Sequence, residues 1–388
     1  MTTDGRFFVT AAKGTEPLLR DELRELRLPH VRAERGGVRF GVTLEDAYRA
    51  CLWTRIGLRV HEALGSFECP DADALYWGVH AIDFTPFVDA RRTLAVRAAG
   101  TSEQLGHTQF IAQCTKDAIV DQLREKTGSR PSVDLDEPDL LVFVHLNKGE
   151  ATVYADYSGS SLHQRGFRAE AGVAPIKEHL AAALVRYSGW NGTSPLTDPM
   201  CGSGTLLLEA GLWAMRRAPG LSRERFGFER WPSFDAERAR ALTALREEAR
   251  AAARPLEAEL FGSDQSAEAI ASARKNAERA GVDVRLEQRT LDRVKLPDTP
   301  GTVIVNPPYG ERLEQPEGFQ RDLDQLLRRS PQHDRALILP RGFRTAKRAD
   351  QWLAVRNGAI ECEFRLYQGR GARGGEQGSP DEPGAAQR

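Results

Sequence analysis

The run VIVNPPYGERL, from Val303 to Leu313, constrains the fold more than any other stretch of the chain. Val303, Ile304 and Val305 make a β-branched, strand-like run that stops at Asn306, and Pro307 and Pro308 follow at once. Neither proline can donate a ladder hydrogen bond, so the strand ends there. Asn306, Pro307, Pro308 and Tyr309 are thereby placed at the carboxyl end of a strand. In an open α/β sheet that edge is where ligands bind.

Such a strand end can hold a planar amine. The Asn306 side-chain carbonyl accepts one N–H. A backbone carbonyl free of the ladder, such as that of Pro307, accepts a second. The stiff Pro-Pro backbone fixes both acceptors and so aims the amine's lone pair. Tyr309 offers a flat face for a stacked base, worth roughly 1–3 kcal/mol. The plainer alternative is a proline-rich loop after a buried strand.

A second motif lies upstream, in SPLTDPMCGSGTLLLEAGLWAM. Pro195–Thr197 give a short strand, Asp198 ends it, Gly202 and Gly204 form a tight loop, and a helix starts at Thr205. Glycines let the backbone approach a ligand closely, and the loop amides favour negative groups. Asp198 instead attracts a cation. A nicotinamide dinucleotide fits poorly. The third fingerprint position is Leu207, and the next strand-end acid, Asp264, comes roughly 60 residues later rather than ~20. No Gly-Lys-Ser/Thr follows, so a phosphate loop is absent as well. S-adenosylmethionine carries no phosphate and has a cationic sulfonium and amine, which suits Asp198. Asp264 ends the strand ELFGSD, where its carboxylate can take both ribose hydroxyls. Asp292 reaches the next strand edge, where it can meet an adenine amino group. GTVIVNPPYG is then the fourth strand, RALILP the fifth, and NGAIECEFRLYQG a closing antiparallel strand. Strands alternate with helices, as in a doubly wound sheet.

At 388 residues the chain exceeds one typical domain of ~150 residues. Residues 6–65 read as an α+β unit. RFFVTAA is a strand, Thr15 and Pro17 open a helix, GGVRFGV is a strand, and Thr43 caps a second helix. Arg49, Arg55 and Arg59 read as a solvated face, with an RNA contact as the alternative. Residues 66–160 repeat the theme. RTLAVRAAG is a strand, a helix ends at Gly128, and PDLLVFVHLNKGEATVYADYSG is a hairpin turning at Asn147–Gly149. His145 reads as a structural residue of that hairpin rather than a ligand. Between residues 212 and 258 lies an insertion containing RRAPGLSRERFGFERW. Its arginines and aromatics suit either single-stranded nucleic acid or a flap over the cofactor site.

The 54 basic and 55 acidic residues leave a net charge of -1, so any basic surface must be local. Cys51, Cys69, Cys114, Cys201 and Cys362 show no paired short spacing, which argues against a disulfide framework and a metal site. The start MTTDGRFFVT lacks a signal-peptide pattern, and no run approaches the ~18 apolar residues of a membrane span. A cytoplasmic protein with no membrane partner is expected.

RPSVDLDEPDLLVFVHL, a turn and ATVYADYSG together resemble the THUMP domain, an RNA-binding module of RNA-modifying enzymes. The motifs SLHQRGFR, APIKEHLAAA, DPMCGSGTLLLEA and NPPYGERL, in that order, resemble the bacterial large-subunit ribosomal RNA guanine 2-amino methyltransferases. The resemblance covers roughly residues 5–368. It implies an α/β fold: a Rossmann-like class I methyltransferase domain with a mostly parallel seven-stranded sheet, preceded by an α+β ferredoxin-like and THUMP RNA-binding region. The divisions expected are a ferredoxin-like subdomain over 1–65, a THUMP domain over 66–160, a linker over 161–174, the methyltransferase domain over 175–368, and a disordered low-complexity tail over 369–388. By this resemblance Asp198, Cys201, Gly202, Gly204, Asp264, Asp292 and Asn306 would hold S-adenosylmethionine. Asn306, Pro307, Pro308 and Tyr309 would hold the target base. Arg165, Arg168 and Lys177 would meet RNA phosphates. TLDRV departs from the commoner Asp-Ala form at Asp292. The activity implied is methylation of a guanosine 2-amino group in 23S RNA. A transfer-RNA guanosine is the alternative substrate, and a non-catalytic ribosome-assembly factor the alternative class. Some relatives are double-length and also make 7-methylguanosine; that second activity is not expected here.

Overall fold

The computed structural model describes residues 5–167, 176–308 and 318–370. The first half runs β1 (Phe7–Thr10), α1 (Glu16–Glu25), β2 (Arg32–Glu34), β3 (Gly37–Phe40), α2 (Leu44–Trp53), β4 (Arg59–Glu68), α3 (Ala72–His80), β5 (Thr93–Ala99), α4 (Thr108–Thr127), β6 (Ser132–Val133), β7 (Leu140–Asn147) and β8 (Glu150–Asp156). Its strands form an eight-stranded sheet in the order β2-β3-β1-β4-β8-β7-β5-β6. β4 joins the two α+β units, because it pairs with β1 on one side and β8 on the other. Position 65 therefore falls inside a strand. β4 and α3 are the elements the sequence conceals. Gly65 interrupts the β4 run, and the register shifts between Ala63 and Gly65.

Local chemistry sets the element ends. Thr43 and Asp46 cap α2 reciprocally, hydroxyl to backbone and carboxylate to backbone. Thr15 precedes α1 as expected, but its hydroxyl donates to the Ala12 carbonyl instead of capping. α4 ends at Gly128 with φ 75°, a left-handed cap. The β7–β8 turn places Lys148 and Gly149 at φ 51° and 80°, which twists the hairpin correctly. His145 stands exposed on β7, opposite Thr152.

The second half runs α5 (Glu178–Tyr187), β9 (Leu196–Asp198), α6 (Thr205–Ala214), α7 (Ala236–Ala251), β10 (Leu260–Asp264), α8 (Ala267–Ala280), β11 (Arg285–Gln288), β12 (Thr302–Val305), α9 (Phe319–Arg329), β13 (Asp334–Pro340), β14 (Gln351–Asn357) and β15 (Ile360–Tyr367). Its sheet order is β11-β10-β9-β12-β13-β15-β14. The first five are parallel, and β15 runs antiparallel to both neighbours. The closing strand is thus a hairpin of two strands. β14 is the edge, and the Arg356 amide donates to the Lys13 carbonyl, so the first half covers part of that edge.

The insertion takes neither of its two expected roles. Phe226, Phe228 and Trp231 are buried. Phe228 stacks on Tyr48 with ring centroids 4.3 Å apart, and Trp231 meets Tyr157 edge-on at 4.8 Å. Arg223 donates to the carbonyls of Ser158 and Ser161. α7 turns Leu242, Leu245 and Ala249 inward, and Glu248 binds Arg49 at 2.8 Å. These aromatics join the two halves and have no face left for a base.

Arg55 and Arg59 are likewise neither solvated nor open to RNA. Arg55 pairs with Glu209 and Arg59 with Asp156. Arg165 is 5 % exposed. Its guanidinium is taken up by Glu209, by the Leu162 carbonyl and by the Arg55 carbonyl. The phosphate contact expected of Arg165 is therefore closed to it; it clamps the linker motif against α6. Arg168 lies outside the described residues.

Candidate active site at the carboxyl edge of the parallel sheet

β9 lies between β10 and β12, so successive crossovers leave it in opposite directions. Its carboxyl end is the switch point where a doubly wound sheet opens a crevice. Asp198, the last residue of β9, is 1 % exposed. One of its oxygens accepts the Met200 amide at 3.0 Å. Burial, reinforced by the nearby Asp264 carboxylate, pushes its carboxyl up to about 8. A carboxylate without a cationic partner in a buried site is costly, and a bound cation would relieve it.

The loop after Asp198 is pinned at several points. The Cys201 amide donates to the Ser263 carbonyl at 2.9 Å, and the Gly204 amide to the Cys201 carbonyl at 2.8 Å. Buried Asn276 donates to the Ser203 carbonyl at 3.0 Å. Gly202 and Gly204 take φ 52° and 85°, a region closed to most side chains. A Cβ built on Gly202 would meet nothing within 4 Å, so the loop is open there. The Cys201 thiol is buried and pushed far up by desolvation, which makes it inert packing at the loop's base.

Asp264 ends β10 and binds two amides, Gly202 at 3.0 Å and Ser266 at 2.9 Å, one through each oxygen. Each oxygen keeps a lone pair for a hydroxyl. Asp292 sits in a 3-10 turn, Leu291–Arg293, beyond the end of β11. It is exposed, and a hydrogen bond from Thr290 holds its carboxyl low. The structure brings Asp198, Cys201, Gly202, Gly204 and Asp264 into one hydrogen-bonded loop system, and Asp292 stands just past the end of the adjacent strand β11.

Asn306 follows β12 directly. Its Oδ1 is buried and has no hydrogen-bond partner among the described residues. Pro307 is buried beside it, and its carbonyl enters no backbone hydrogen bond among the described residues. Both acceptors expected from the sequence are therefore present and unused. Tyr309 lies outside the described residues.

α5 leads into β9 through a short link, so the start of α5 stands at this same edge. Lys177, the residue before α5, is exposed. His179 is 6 % exposed, its Nδ1 has no partner among the described residues, and its ring meets His163 edge-on at 5.5 Å. Burial, with His163, Arg165 and Lys177 in support, pushes the His179 imidazole down to about 3, so it is neutral. Sequence reasoning missed this pair. The two histidines belong to different motifs and meet only in the fold.

Among the described residues, no three His, Cys, Asp or Glu side chains are grouped to hold a metal ion, and no helix is long and apolar enough to cross a membrane. The features that remain are a buried carboxylate without a cation, a carboxylate with free lone pairs and a pair of amine acceptors along one sheet edge.

Comparison with known proteins agrees with this geometry. Residues 165–333 match the family described as "RMKL-like, methyltransferase domain". Residues 6–61 match "RlmL ferredoxin-like domain", and residues 69–156 match "THUMP domain". A ribosomal RNA large subunit methyltransferase K/L of Methylococcus capsulatus is 42% identical over 381 residues, which is 95% of this chain and 51% of that protein. The chain spans about half the length of the curated relatives it matches. A putative methyltransferase solved in complex with SAH is 30% identical, with a TM-score of 0.84, over 95% of this chain and 99% of the other. A predicted N6-adenine-specific DNA methylase from Listeria monocytogenes is 29% identical, with a TM-score of 0.82, over 94% of this chain and 96% of the other. The chain belongs to the RlmL-like family of THUMP-bearing class I methyltransferases.

Proposed function

We propose that this chain transfers a methyl group from S-adenosylmethionine to the 2-amino nitrogen of a guanosine in large-subunit ribosomal RNA. The observation that carries the reading is the unpartnered Oδ1 of Asn306, buried at the end of β12 beside the free carbonyl of Pro307. Relatives named as large-subunit ribosomal RNA methyltransferases, together with the THUMP match, support RNA as the substrate class.

The residues fit the cofactor. Asp198, buried without a cation, would bind the amine of its methionyl part. The open turn at Gly202 leaves room for close approach, and Asp264 would accept ribose hydroxyls. When bound, S-adenosylmethionine supplies a methyl group on a cationic sulfur. The rest falls to the chain. A guanine 2-amino group is conjugated into its ring and is a poor nucleophile, so positioning and electrostatics must provide most of the acceleration. Asn306 Oδ1 and the Pro307 carbonyl would accept its two hydrogens and favour a tetrahedral nitrogen with its lone pair aimed at the methyl carbon. Pro307 and Pro308 hold that geometry without rearrangement. A base within a helix would have to be turned out of its stack to reach them.

The test is transfer of labelled methyl to total RNA, separated into ribosomal and transfer fractions and hydrolysed to nucleosides. Label as 2-methylguanosine in large-subunit RNA is the expected result. Label in transfer RNA would keep the chemistry and replace the substrate. No label in any RNA, with cofactor bound, would overturn the reading.

A further inference from the structure

Arg165 is buried and the net charge is -1, so an RNA-binding surface on the catalytic half must be built elsewhere. One face gathers exposed cations. β13 ends at Pro340 on the catalytic edge, and the chain then runs back to start β14. Gln351 stands opposite Leu366, and Leu366 opposite Ala336, near the start of β13. The connection 341–350 therefore descends the length of the sheet, about 20 Å for seven strand residues.

That connection is held firmly against α9. Gln320 donates to the Arg344 carbonyl at 2.7 Å, and Asp324 accepts the Ala346 amide at 2.7 Å. The Thr345 hydroxyl bonds the Tyr367 hydroxyl at 2.9 Å, and Phe343 meets Phe319 edge-on at 6.2 Å. With its backbone fixed, the connection points its cations outward. Arg344 and Arg348 are exposed and have no ion-pair partner among the described residues. Arg341 and Lys347 have exposed partners only, Glu361 at 3.3 Å and Asp350 at 3.7 Å. Beside them the outer face of α9 carries Arg321 and Arg328, both exposed. Trp352 pairs across from Arg365 on the α9 side of β14 and is 64% exposed.

We propose that α9 and the β13–β14 connection form a track for the phosphate backbone of the RNA substrate, leading from the catalytic edge down this face. The inference rests on the RNA reading above. Guanidinium groups on a fixed backbone suit phosphates, and an exposed tryptophan at the foot suits a stacked base. The surface begins where Asn306 awaits the target, so a strand held here delivers a neighbouring base to the edge.

The test is the salt dependence of binding to in vitro-transcribed large-subunit ribosomal RNA. In the double variant Arg344→Ala/Arg348→Ala the slope of log affinity against log salt falls by roughly 1.4–1.8, the loss of two phosphate contacts. KM for RNA rises about tenfold, a size in keeping with lost phosphate contacts, while kcat at saturating RNA and cofactor affinity stay unchanged. Trp352→Ala weakens binding about tenfold, as a lost stack would, and leaves the slope alone. Arg279→Ala, on α8 at the opposite face, changes neither. A double variant with the wild-type slope and affinity overturns the track. If the wild type binds RNA without methylating it and the double variant still lowers the slope, the track stands and the activity reading falls. If the wild type does not bind RNA, both fall.

Discussion

The junction between the two halves and the catalytic edge both bury polar groups, yet they treat them oppositely. At the junction Glu209 is 1 % exposed and receives Arg55 at 3.4 Å and Arg165 at 3.2 Å. Glu22 is buried too and accepts the Thr54 hydroxyl at 2.7 Å and the Arg55 amide at 2.9 Å. Glu209 is neutralised by two guanidinium groups, and Glu22 is held by a hydroxyl and backbone amides. At the catalytic edge, among the described residues, Asp198 has no cation, and Asn306 Oδ1 and His179 Nδ1 have no partner. Buried polar groups are normally paired. Single unpaired atoms also occur elsewhere among the described residues, as at Thr115 Oγ1 and at Arg223 Nε in the junction itself. What sets the edge apart is that a carboxylate without a cation, an amide oxygen and an imidazole nitrogen left unpaired all stand at one strand edge. Arginine burial reads as architecture here, and unpaired carboxylate and amide oxygens read as function.

The sharpest way to break this contrast is to open the junction. Arg165→Ala leaves Glu209 short of a partner and should cost ~3–5 kcal/mol of stability, measured by denaturant unfolding, with Arg55 unable to compensate alone. A change under 1 kcal/mol would mean the junction is as loosely paired as the edge. Next, Asn306→Ala should lower methyl transfer ~100–1000-fold, comparable to losing one preorganised transition-state contact, while cofactor affinity stays within a few-fold. Equal loss of both would remove its assigned role. Asp198→Asn should act in two directions: it weakens cofactor binding and raises the melting temperature of the cofactor-free protein. The sign follows from linkage. The Asp198 carboxyl titrates at about 8 when folded, against 3.8 in the unfolded chain, so the folded state holds the extra proton between these values. Its contribution to stability therefore falls as pH rises across that window, and the asparagine variant should lose that slope. The smallest effect belongs to Arg49→Ala. Its Glu248 partner is 56 % exposed, and such pairs contribute ~0–1 kcal/mol.

Much of the catalytic edge was legible because its chemistry is written in short runs. Prolines after a β-branched strand, and glycines after a strand-end acid, force local geometry whatever packs around them. Asp198, Gly202, Gly204, Asp264 and Asn306 stand where strand ends require. The junction was not legible. Arg55, Arg165 and Phe228 resemble RNA-binding residues in composition, and only contacts more than a hundred residues apart in sequence, such as Arg55 with Glu209, turn them inward. Tertiary pairing decides whether an arginine is a surface or a clamp, and local pattern carries no trace of it. β4 was hidden for a related reason: its glycine and bulge spoil the alternation, and its two partner strands supply the order. Asp292 shows that element ends were less legible than elements, since β11 ends at Gln288 and Asp292 follows in a 3-10 turn.

The most direct test of this contrast is a calorimetric titration of S-adenosylmethionine at pH 7 in two buffers of different ionisation enthalpy. If Asp198 is the buried carboxyl waiting for a cation, binding releases a proton, because burial keeps that carboxyl protonated near neutrality until a cation joins it. The Asp198→Asn variant then binds more weakly and releases none. Binding with no proton release from the wild type, or with the same release from both, would contradict the claim that the unpaired groups at this edge are there for the cofactor.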